Sequence, residues 1–87
     1  MVLGGAMSQE IQCRAGDTTA TLLSDGQTVL HVRRGSSVEM RVEDLAEWLA
    51  FYERRASRPK ARGAYDDDVA ALRDLKARLA EQREEGR

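Results

Sequence analysis

Few side chains in this sequence could make or break bonds. It holds one histidine, His31, and one cysteine, Cys13. An imidazole that titrates near neutrality can act as a general base or a pH-responsive group. A thiolate could be its nucleophilic partner. Both residues fall in strand-patterned segments, and the alternation of apolar residues puts them on opposite faces. No third residue stands where it would orient the imidazole. His31 therefore reads as an exposed strand residue, and Cys13 as a small core hydrophobe. One histidine and one cysteine do not make a zinc site, which needs several clustered ligands. Asp66, Asp67 and Asp68 are consecutive, whereas calcium-loop ligands are spaced around a turn glycine. The glycines match no phosphate-loop spacing. The expectation is a non-enzyme with no catalytic residue, no metal and no cofactor.

Charge offers a second kind of chemistry. Arg54, Arg55, Arg58, Lys60 and Arg62 are five cations within nine residues, with no acid among them. Such a run is the usual footprint of phosphate binding, and Arg33, Arg34 and Arg41 could add to it from the strands. The plainer reading is a solvated helix end, because cations suit a helix C-terminus. Asp66 to Asp68 follow directly and would neutralise the run. No nucleic-acid motif of fixed spacing accompanies it, so nucleic-acid binding ranks second here. The formal net charge of −1 favours neither nucleic acid nor a membrane surface.

Apolar side chains give the strongest interaction signal. Three of the four aromatics, Trp48, Phe51 and Tyr52, lie within five residues. On a helical wheel Tyr52 falls with Leu45 and Leu49. Trp48 and Phe51 turn away from that line by about 60° and 120°, taking 100° per residue. Leu72, Leu75 and Leu79 form a stripe with the 3,4 spacing of a short coiled-coil seam. A helix of that length is marginal alone in water, so its stripe needs cover. Trp48 and Phe51 are the natural counterpart, from the same chain or from a second copy.

These residues need elements to position them. Strands are expected over Glu10–Arg14, Thr18–Ser24, Thr28–Arg34 and Val38–Val42. Asp25-Gly26 marks a hairpin turn, and Arg34 to Ser37 marks another. Apolar pairing favours Leu22 opposite Leu30 and Val32 opposite Met40. That register puts Leu30 and Val32 inside, with His31, Arg33 and Glu39 outside. A helix follows, with Asp44 as N-cap and Glu47 completing a capping box. It ends before Pro59. The last helix spans about Asp66 to Glu85, with three aspartates in its first turn.

The chain thus reads as one small α+β domain: a three- to four-stranded antiparallel meander, an amphipathic helix and a second C-terminal helix. Residues 1–9 read as disordered, 10–56 as the meander-plus-helix module, 57–65 as a basic linker and 66–85 as the last helix. The lone cysteine suits a reducing cytoplasm, and no apolar run approaches a membrane span. A module of under fifty residues without disulfide or metal usually relies on association. The functional expectation is a non-enzymatic interaction or regulatory module. It would be homodimeric through Trp48, Phe51, Leu72, Leu75 and Leu79, with an unidentified protein partner. The alternative is a nucleic-acid-binding accessory protein using Arg54, Arg55, Arg58, Lys60 and Arg62.

Overall fold

Four strands form one antiparallel sheet in sequence order: β1 (Ile11–Ala15), β2 (Thr18–Leu22), β3 (Thr28–Arg33) and β4 (Ser36–Arg41). A 3-10 turn over Val42–Asp44 leads into helix α1 (Leu45–Ala56). A second 3-10 segment, Pro59–Ala61, lies in the linker before helix α2 (Asp66–Glu85). This structure, a computed structural model, describes residues 10–85. The segment 1–9, expected to be disordered, lies outside the described residues. The α+β class and the order of elements are those expected from the sequence.

Tight turns join the outer strand pairs. Ala15 pairs with Thr18 across Gly16-Asp17, and Arg33 pairs with Ser36 across Arg34-Gly35. Gly16 has a φ of +59°, and a Cβ there would strike the Asp67 carboxylate. Arg34 and Gly35 both have positive φ, 29° and 78°. Positive φ at both positions is the mark of a type I′ hairpin.

The β2–β3 connection overturns the expected register. Leu22 pairs with Val29, not Leu30, and Val29 pairs with Met40 in place of Val32. The loop sets this parity. The Leu23 N–H donates to Thr28 O at 2.8 Å, which closes an even-length turn over Ser24–Gln27. Asp25 holds that turn by accepting from the Thr28 hydroxyl and from the N–H groups of Gln27 and Thr28. These bonds, the hydroxyl first, hold the Asp25 carboxyl below its usual value. A shift of one residue turns every side chain of a strand over. Val29 and His31 therefore face inward, while Leu30 and Val32 face out and stay part-exposed. Arg33 does not oppose Glu39, whose partner is Leu30.

Both helices cover the same face of the sheet. Helix α2 packs across β1 and β2 and against α1. The inward residues there, Cys13 and Ala20, are small and buried, which leaves room for a helix to come close. Helix α1 seats Leu45, Leu49 and Tyr52 in the core, and Tyr52 meets the His31 ring edge-on at 5.1 Å. The expected module of residues 10–56 thus shares one core with α2, which contributes Val69, Ala71, Leu72 and Leu75. The expected capping box does not form, since Asp44 makes no side-chain cap bond. The preceding 3-10 turn supplies the entry instead, with the Leu45 N–H bonded to Val42 O.

Cys13 is 2% exposed. Burial first, and then the neighbouring Asp74 carboxylate, push its thiol up to about 11 from 9.0. Tyr52 is shifted upward as well, mainly by burial. Between pH 9 and 11 the unfolded chain gives up the Cys13 proton while the folded chain keeps it. Stability is therefore intact below that window and falls as pH rises through it. Urea titrations at pH 8 and pH 10.5 should show this loss, and Cys13→Ala should make it smaller.

Candidate functional site

The inward turn of β3 sets a histidine in the core, and α2 brings a carboxylate to it. His31 Nε2 lies 2.7 Å from Asp68 Oδ1, and the two side chains are 0% and 1% exposed. Arg33, two residues along β3, places its Nε 3.2 Å from the same oxygen. A terminal nitrogen of Arg33 donates to Ala64 O, and its guanidinium lies 5.1 Å from the centre of the Tyr65 ring. One arginine thus ties β3, the linker and the start of α2 together.

This arrangement corrects the expectation that His31 is an exposed strand residue. The sequence did carry a sign of its partner. Asp68 stands four residues before Leu72, so the buried stripe of α2 runs back one more turn and ends on a carboxylate. An aspartate at that place reads from sequence as a dipole-favouring acid, as Asp66 and Asp67 do. Only the true β3 register gives it a histidine to meet.

The pair is closed to substrate. His31 is fully buried, and neither its Nδ1 nor Asp68 Oδ2 has a hydrogen-bond partner. A general base must reach the proton that it takes, and this imidazole has no solvent-exposed surface. Cys13 lies on the same inner face, not the opposite one as expected. It pairs with Ala20, which pairs with His31. Two strand spacings, about 9–10 Å, separate such residues, too far for one to activate the other. With its thiol pushed to about 11, Cys13 is also a poor nucleophile near neutrality. Among the described residues no group of three or more metal-ligating side chains occurs.

The expected interface residues divide into two sets. Leu72 and Leu75 are fully buried in their own chain, so they are not on the surface. Burial against β1 and β2, which carry small inward residues, is what covers that stripe. Trp48, Phe51 and Leu79 pack at the edge of the core and remain half-buried. Trp48 and Phe51 form an edge-to-face pair with centroids 5.7 Å apart. Tyr52 joins the core, as its wheel position implied.

The basic run lies at the other end of α1. Arg54, Arg58, Lys60 and Arg62 are exposed. Arg55 is half-buried, with its guanidinium 4.5 Å from the Phe51 ring centre and 6.0 Å from that of Tyr65. The ion pairs of the described residues involve none of these five cations. Two of the three aspartates expected to neutralise them point elsewhere. Asp68 goes inward, Asp67 lies at the Gly16 turn, and Asp66 adjoins Gly63. Arg41 does not join the run, since it sits at the far end of β4 and pairs with Glu43.

An open groove between α1 and α2 is lined by Ala56, Val69 and Ala70 and bordered by the Glu53–Arg73 ion pair. No helix among the described residues is long and apolar enough to cross a membrane. Comparison with family models, curated proteins and solved structures gave no match.

Removing the carboxylate should leave a buried imidazole and a guanidinium without their shared partner. Asp68→Ala should destabilise the fold by about 3 kcal/mol or more in urea denaturation. Asp68→Asn, which keeps an oxygen for the His31 N–H, should cost less.

Proposed function

We propose that this chain is a small non-enzymatic interaction module of regulatory type that forms a two-fold homodimer through Trp48 and Phe51. One observation carries the reading. Both helices are already packed on the sheet, yet this aromatic pair is still half-exposed. The element that could have covered it, α2, has its Leu72 and Leu75 already buried in the core that it forms on β1 and β2. Paired aromatics left part-open in this way are characteristic of contact surfaces. A second copy is the simplest cover, since two-fold dimers are the commonest assemblies.

The leucine stripe leaves this proposal apart from Leu79, which is half-buried at the end of the core. With Val69, Ala71, Leu72 and Leu75 of α2 included, the core is larger than residues 10–56 alone would build. The closed His31–Asp68 pair and the unreactive Cys13 favour binding over catalysis. A free, buried thiol suits a reducing cytoplasm.

Trp48 is the single tryptophan, so its emission reports on this surface directly. Light scattering at high micromolar concentration should give a dimer mass, and dilution should shift Trp48 emission to the red. Phe51→Glu should yield a monomer with an unchanged circular dichroism spectrum. A wild-type monomer at that concentration, or a Phe51→Glu dimer, would overturn the proposal.

A further inference from the structure

The chain's basic residues are scattered in sequence, but the fold gathers one set of them. Arg33 bonds to Ala64 O and flanks Tyr65 from the β3 side, while Arg55 flanks the same ring from α1. The end of β3, next to Arg34, is thus tied through Arg33 to Ala64 and Tyr65, the last residues of the linker that carries Arg58, Lys60 and Arg62. Arg34 and those three are exposed, and none enters an ion pair of the described residues. The nearest aspartates offset them little. Asp68 is buried against His31 and Arg33, and Asp67 is turned to Gly16, leaving Asp66 at the linker's end.

We infer that this end, Arg34 with Arg58, Lys60 and Arg62, is a docking surface for duplex nucleic acid that grips the phosphate backbone without reading sequence. Clustered cations without acid partners gain from neutralising phosphates, because counterions are released. The aromatic ring here favours a duplex over a single strand. Single-strand binders stack bases on free aromatic faces. Tyr65, the ring at this end, instead has the guanidinium groups of Arg33 and Arg55 beside it, so it offers no free platform. A duplex has its bases already stacked and presents only phosphate and sugar to such a surface. The site is independent of the aromatic pair proposed for dimerisation, although a dimer would carry two such ends.

Fluorescence anisotropy tests this with labelled 20-base-pair duplex DNA, the matching single strand, and vesicles containing phosphatidylserine. The duplex should bind at low salt. A four-cation surface gives log affinity against log salt a slope of about −3 to −4, at about 0.9 per phosphate. Arg58→Glu/Lys60→Glu/Arg62→Glu should abolish binding, with folding verified by circular dichroism. Arg41→Glu/Lys76→Glu/Arg78→Glu, with the same charge change elsewhere, should retain it. Four results would overturn the inference: no duplex binding at low salt, equal loss in both triple variants, tighter binding to the single strand, or equal binding to vesicles.

Discussion

A histidine placed at a fully closed position of a sheet has to be given a polar partner, and much of this fold follows from that demand. A buried imidazole N–H without an acceptor costs roughly 1–3 kcal/mol, a large share of a small domain's stability. Asp68 meets the demand at 2.7 Å. To do so, α2 must dock in one register along β1 and β2. Sliding by a single turn, about 5.4 Å, would carry the carboxylate out of reach. It would also displace Leu72 and Leu75 from the core. Apolar stripes alone tolerate such slips better than a hydrogen bond does. The His31–Asp68 pair is therefore what makes the docking of α2 specific, while the leucines supply its strength.

The same link sets the surfaces on which function is read. Fixing the start of α2 fixes Tyr65 and Ala64, which Arg33 then clasps. The end of the basic linker is tied in this way to the end of β3. Seating α2 on the sheet also leaves Trp48 and Phe51 without a full cover. Both proposed contacts, with a second copy and with a phosphate backbone, are thus consequences of where one helix lands. The burial of His31 and Cys13 keeps both side chains off those surfaces.

Much of the fold was legible in the sequence. The four strands, the α1 core face of Leu45, Leu49 and Tyr52, and the span of α2 all followed from periodicity and turn residues. The face of β3 did not. Its residues Val29, Leu30, His31 and Val32 offer apolar groups at both parities, so hydrophobicity pointed to Leu30 and Val32. The Asp25 turn decided otherwise through three short hydrogen bonds. That one residue of register also hid the histidine–aspartate pair, because a carboxylate in a helix's first turn needs no special explanation. The separation of Trp48 and Phe51 from Tyr52 was visible on a helical wheel. The destination of the leucine stripe was not, because periodicity states that a face is covered and not by what.

The central claim is that His31 and Asp68 act as one unit in holding α2 to the sheet. A double-mutant cycle of His31→Ala and Asp68→Ala, read by urea denaturation, tests it most directly. The account predicts that the double variant loses clearly less than the sum of the two single losses, with a coupling above about 1 kcal/mol. Losses that add within about 0.5 kcal/mol would contradict it, and the pair would then be two neighbours sharing a core without holding it in register.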